Sequence, residues 1–253
     1  MPHVTKILIL IISFPLYMPF TNAQNNHLKP LSALINKDDP GWSLVQQWIK
    51  EAKNKVEVLP KDSLRADSAL YKTQVTTRSP MGAIIHETGG ILIDNGWIRI
   101  LGSGCKRLDR SLMDWNKGKS FTNFGDPSSF LLIADDVMGG FYAINAGALS
   151  KNEIGKVFYY SPDNLQWESL GYGYSDFLIF CFSGNLKGYY ENMRWTNWEK
   201  DIRGLDGNKG ISCFPFLFTK EGKDINKVSR KPVPIEELWS LYNDLPKQLN
   251  KEK

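Results

Sequence analysis

Any mechanism that needs an imidazole inside the fold has to use His86, because His3 and His27 lie in the leading segment of the chain. His86-Glu87 opens like the HExxH zinc motif, but the fifth position is Gly90, so the second ligand is missing. His86 therefore reads as a structural or solvent-facing histidine. Cys105, Cys181 and Cys213 form no CxxC pair and carry no flanking signature of a cysteine nucleophile. Cys181 sits in the apolar run Phe177 to Phe182, which suits a buried, inert thiol. In an oxidising compartment, one disulfide with a leftover thiol and three reduced cysteines both stay open.

Asp135-Asp136 is the acid pair of the strand-patterned middle of the chain, and such a pair is able to bind a cation or move a proton. Neighbours on an extended chain point to opposite faces, and Gly139-Gly140 follows, so the stretch reads as a hairpin turn. Gly102-Ser103-Gly104 lacks the spacing and the Lys-Ser/Thr ending of a phosphate loop, and no GxSxG elbow occurs. Asp206-Gly207-Asn208 lacks the downstream glutamate of a calcium loop. No cofactor motif is present, and none is expected to be bound. A carboxylate-only hydrolase leaves no short signature, so an enzyme of that type stays open as the alternative to a binding protein.

Aromatic density is the feature these exclusions leave. From Phe158 to Trp198 the chain carries 13 of its 31 aromatic residues within 41 positions. One reading packs Phe177, Phe180 and Phe182 inside with tyrosines on sheet faces. The functional reading makes Tyr172, Tyr174, Tyr189, Tyr190, Trp195 and Trp198 a ligand or partner surface, where amphipathic rings are favoured.

Those residues need elements to hold them. Asp39-Pro40-Gly41 opens a helix whose Trp42, Val45, Ile49 and Ala52 form one stripe to about Lys55. The stretch 56–77 reads as loop with a helix around Ala66 to Lys72. Ser79-Pro80 caps a helix over Met81 to Glu87, and a hairpin follows, its strands 91–93 and 97–101 turned by Asp94-Asn95-Gly96. Leu108 to Trp115 reads as helix. Two further strand pairs fall at 130–134 with 141–144 and at 157–160 with 165–168. Helices are expected over 176–182 and 186–200, and Pro234 starts an amphipathic helix with Ile235, Leu238, Trp239, Tyr242 and Leu245 on one stripe. Helices at both ends of antiparallel hairpins make an α+β fold.

Lys6, the apolar run Ile7 to Phe20 and the small residues Thr21-Asn22-Ala23 have the layout of a cleavable signal peptide. The run is too short to span a bilayer, and Pro15 and Pro19 interrupt it. The expected organisation is a signal peptide at 1–23, a flexible tail at 24–39 and a single α+β domain at 40–253, periplasmic or secreted. The mature chain has no other apolar segment long enough for a transmembrane helix. A formal net charge of +4, evenly scattered, argues against a nucleic-acid partner.

The run Thr76 to Ala83, followed by Thr88-Gly89-Gly90-Ile91-Leu92-Ile93-Asp94-Asn95-Gly96-Trp97-Ile98-Arg99-Ile100-Leu101-Gly102-Ser103-Gly104, resembles the bacterial family catalogued as domain of unknown function 2625. The resemblance extends from about Pro40 to Leu249 and implies no established reaction. A shorter stretch, Phe130 to Asp136 with Gly139 to Ile144, is similar to the strand-turn-strand of the SUKH superfamily, whose members include immunity and cell-wall-regulatory proteins. The signal peptide departs from the cytoplasmic setting of SUKH immunity proteins. The expectation from residues and resemblance together is an exported, non-enzymatic binding protein with a protein or glycan partner in the cell envelope.

Overall fold

A computed structural model of the chain describes residues 28–249, so the expected signal peptide lies outside the described residues. The fold is α+β, built on a seven-stranded antiparallel sheet in simple sequence order and a separate two-stranded sheet. Of the expected tail at 24–39, residues 28–39 are described. Leu31–Leu34 forms a helical turn (α1) with Leu34 fully buried, and Thr77 N–H donates to the Leu34 carbonyl.

Helix α2 spans Trp42–Lys50, shorter than the stripe suggested. The reason is tertiary: Lys53 N–H and Asn54 N–H both donate to the Phe182 carbonyl, and the Asn54 amide caps Cys181 and Gly184, so the chain is drawn out of the helix. Val56–Leu59, expected as loop, is edge strand β1, paired with β2 (Gly90–Ile93). Between them lie α3 (Ser63–Thr73), with the Asp62 carboxylate accepting from two backbone N–H groups, and α4 (Pro80–Glu87), capped by Ser79 as expected.

β2 turns into β3 (Ile98–Leu101) through Asp94-Asn95-Gly96, all three at positive φ. The expected helix from Leu108 shortens to α5 (Leu112–Asn116), because Ser111 caps it and the backbone of Cys105 and Leu108 pairs instead. β4 (Phe130–Asp136), β5 (Phe141–Asn145), β6 (Val157–Ser161) and β7 (Gln166–Ser169) complete the sheet. Helix α6 (Tyr174–Ser183) follows. The single helix expected over 186–200 is instead α7 (Leu186–Tyr189) and α8 (Trp198–Ile202), separated by a turn-rich, non-helical stretch over 190–197 that ends in left-handed Asn197 with φ 66°.

The second sheet, β8 (Lys209–Phe214) with β9 (Ser229–Pro234), has no counterpart in the expectations. Pro232 and Pro234 disguise β9, and proline is tolerated there because a two-stranded sheet is all edge. α9 (Ile235–Leu249) follows the predicted stripe.

Cross-strand register places Arg99, Asp135, Phe141, Tyr160 and Trp167 in one row on one face of the large sheet. Trp115 and Trp239 cover that face through Phe141, with ring centroids at 6.4 and 5.0 Å. Tyr142 and Tyr159 stand on the opposite face, against Phe177 and Tyr190 of the α6–α7 segment.

Candidate functional site

The adjacent carboxylates are not a turn. Asp135 and Asp136 end β4, and both are fully buried. They do face opposite sides, as their spacing predicts. Asp135 receives Arg99 Nε at 2.5 Å on one oxygen and Arg110 Nη1 on the other, while Arg99 Nη2 reaches the Asp136 carbonyl at 2.6 Å. Asp136 Oδ1 accepts Met138 N–H and Gly140 N–H at 2.8 and 2.9 Å and so folds the β4–β5 turn around itself. Its Oδ2 accepts the Tyr159 hydroxyl at 2.7 Å and the Tyr190 hydroxyl at 3.3 Å. Burial raises the Asp136 pKa, with Tyr159, the backbone donors and Arg99 opposing, and it lifts the Tyr142, Tyr159 and Tyr190 hydroxyls well above the ordinary tyrosine value. This convergence of acid and base is sealed from solvent, and its geometry is that of a folding device.

His86 stands apart from it. Its Nδ1 lies 2.6 Å from Glu87 and its Nε2 3.4 Å from Asp67, bridging α4 to α3 at the surface. Cys105, Cys181 and Cys213 are unpaired and buried, so of the two open states the three reduced thiols are present. Burial pushes the Cys181 thiol well up and the Cys213 thiol up to about 11, which keeps both protonated at neutral pH.

The predicted aromatic surface divides. Tyr190 is fully buried and Trp195 is 4% exposed, although Trp195 lines, with Trp198, a concavity of about 540 Å³. Tyr190 meets Trp97 edge-on at 5.3 Å and hydrogen-bonds Tyr142, and the Trp195 indole N–H donates to Asp201. Both serve packing, which corrects the expectation for them. Trp198 is half-buried, wedged between Trp97 at 4.9 Å and the Arg194 guanidinium at 4.2 Å. Tyr174 is half-buried against Phe177.

Tyr172 and Tyr189 do reach the surface, and Phe180 joins them. Ring centroids run Tyr172 to Phe180 at 6.1 Å and Phe180 to Tyr189 at 5.1 Å, with Ile179 43% and Tyr189 37% exposed. Burial raises the pKa of the Tyr189 hydroxyl. Phe180, grouped from the sequence with the inward Phe177 and Phe182, is only half-buried, and Ile179 was not singled out, because the run Phe177 to Phe182 is uniformly apolar and no stripe marks its outer face.

Among the concave regions elsewhere, two bear on the chemistry. A groove of about 840 Å³ at the far ends of β4 and β5 has a floor of Val75, Met113, Phe130, Leu131 and Ile144. A cleft of about 480 Å³ beside Trp115 gathers Asp109, Asp114 and Glu236, each ion-paired, to Arg65, Lys72 and Lys119 respectively. Burial acts to raise the Asp114 pKa, but hydrogen bonds from Lys72 and Ser111 outweigh it and hold the carboxyl below its usual value. Among the described residues no group of His, Cys, Asp and Glu has a metal-binding arrangement, and no helix is long and apolar enough to cross a membrane.

Comparison with known proteins agrees with the family resemblance. The family described as "Protein of unknown function DUF2625" matches residues 31–238. An uncharacterised protein of Haemophilus influenzae is 43% identical over 209 residues, covering 83% of this chain and 91% of its own length. The putative uncharacterised protein YbfG of Escherichia coli K12 is 41% identical over 214 residues, covering 85% and 95%. The likeness of the β4–β5 hairpin to SUKH proteins finds no support in these matches. A match over most of the fold, with relatives aligned along nearly their whole length, makes this chain a member of the DUF2625 family.

Proposed function

We propose that this chain is an exported, non-enzymatic binding protein of the cell envelope that engages a protein or glycan partner through the outer face of α6 and α7. The observation that carries the reading is the Tyr172–Phe180–Tyr189 ring ladder with Ile179 beside it. Rings held in place by neighbouring rings lose little entropy on binding and present flat apolar faces, which suit a sugar ring or a protein hot spot. The leader at 1–23 supports the envelope location.

The test uses protein recovered from the envelope fraction, where its intact mass should begin at Gln24. Tyr189→Ala and Tyr172→Ala should each weaken binding to purified cell-wall glycan or to a defined envelope protein by about tenfold or more, with a smaller loss of melting temperature than a fully buried ring would give. Tyr190→Ala should lower the melting temperature instead. Equal binding by wild type and both surface variants would defeat the reading.

One observation favours the carboxylate-based hydrolase, namely the cleft holding Asp109, Asp114 and Glu236. Against it stands the chemistry of the pair such a reaction needs, one carboxyl raised to donate a proton and one ionised. Asp114 is held low, and all three carboxylates are neutralised by cations.

A further inference from the structure

Residues 215–228 leave the β8–β9 hairpin and return to it, and they carry side chains that neither the core nor the ring ladder uses. Phe214 closes β8 at 69% exposure. Its ring meets Phe216 edge-on at 6.3 Å, and Phe216 stacks on Phe218 at 5.3 Å with 13° between planes. This row is fixed rather than loose. Leu217 between the rings is buried, Thr219 donates through N–H and hydroxyl to the Phe216 carbonyl, and Gly222 N–H returns to Thr219. A Cβ on Gly222 would fall 1.9 Å from the Phe216 carbonyl oxygen, so only glycine closes the turn.

The surrounding charge is basic. From Phe214 to Lys231 the chain has five basic residues, Lys220, Lys223, Lys227, Arg230 and Lys231, against Glu221 and Asp224. Lys220, Lys223, Lys227 and Lys231 are exposed. Lys231 pairs with Ser212 and therefore shares the face of Phe214. Asp224 is occupied by Lys227 at 2.9 Å, and Arg230 turns inward to the Ile225 and Val228 carbonyls.

We propose that this lobe is a peripheral contact for an anionic phospholipid surface, with Phe214 and Phe216 entering the interface and Lys220, Lys223 and Lys231 lying against the headgroups. A protruding ring needs a pocket on a rigid partner, whereas a headgroup layer yields around it. The excess positive charge opposes a second copy of the lobe and complements an anionic leaflet. Buried apolar area and attraction to anionic headgroups add in such a contact, so rings and lysines act together.

The experiment is co-sedimentation of the purified full chain with phosphatidylcholine vesicles, with and without phosphatidylglycerol. Phe214→Ser has the same N-terminus, so any contribution of the leader cancels in the comparison. Wild type should bind the anionic vesicles and release as salt rises. Phe214→Ser should bind about tenfold more weakly, as should the combined Lys220→Gln, Lys223→Gln, Lys231→Gln variant, both with wild-type circular dichroism. Equal binding to vesicles without phosphatidylglycerol, or no loss in either variant, overturns the proposal. So does Phe214-dependent dimerisation in vesicle-free solution.

Discussion

Asp136 shows how a residue type that suggests chemistry becomes a structural part once its partners are known. Its carboxylate collects two backbone N–H groups and the Tyr159 and Tyr190 hydroxyls in a space without solvent. Asp136→Ala leaves those donors unmatched and should cost about 2–4 kcal/mol in urea unfolding, while Asp136→Asn keeps an acceptor for both N–H groups and should cost much less. The pH dependence has a definite sign. Because burial raises the Asp136 pKa above 3.8, the folded state holds this proton more tightly than the unfolded state. Its contribution is therefore fully present below 3.8 and is lost as pH climbs through the raised folded value. The stability difference, wild type minus Asp136→Asn, should fall with rising pH across that window, and a difference that rises would refute the assignment. None of this was legible from Asp135-Asp136 in the sequence, because burial is set by residues distant along the chain. Tyr189 and Tyr190 make the same point, one partly exposed and its neighbour sealed.

At the scale of elements, legibility followed the range of the cause. The Ser79 cap, the Asp94-Asn95-Gly96 turn and the stripe of α9 are written in adjacent residues, and each appears where expected. β1 and the β8–β9 pair were missed because their strand character comes from partners far away, and two prolines hide β9. The helix expected over 186–200 failed across a whole stretch, since α7 stops at Tyr189 and 190–197 run as a turn-rich, non-helical segment before α8. The β4–β5 turn mixes both ranges, since Gly139-Gly140 marks it locally and Asp136 with Tyr159 fills it. A Cβ on Gly140 would sit 2.3 Å from both Asp136 Oδ2 and the Tyr159 hydroxyl. Gly140→Ala should therefore destabilise by about 2 kcal/mol or more through overpacking. Gly173→Ala, where the nearest atom is 3.8 Å away, should stay within about 1 kcal/mol. Equal melting temperatures for the two variants would mean that the turn is not packed as described.

At the scale of the molecule, the question is whether the small sheet and its basic lobe form a separate folding unit. Chains of this length often unfold in steps, and a two-stranded sheet alone is marginal, so a separate early transition is the ordinary expectation. The joints argue otherwise. Ile211 N–H donates to the Val137 carbonyl at 2.6 Å, and Val137 N–H donates to the Trp97 carbonyl at 2.8 Å, so β8 is bonded to the β4–β5 turn and through it to the residue preceding β3. Arg99, buried in the large sheet, donates to the Lys209 carbonyl, and the Arg230 guanidinium lies 4.9 Å from the Trp195 ring. Ile211, Cys213, Leu217, Ile225 and Val228 belong to the same apolar cluster as the strands of the large sheet. Removing the hairpin would expose that shared core and strand a buried arginine, so the two sheets should unfold together. Calorimetry should give one transition whose van't Hoff and calorimetric enthalpies agree, and fluorescence and far-ultraviolet circular dichroism should follow it at the same midpoint. Two resolved transitions, the earlier one abolishing vesicle binding while the large sheet persists, would show that the lobe is a separate unit.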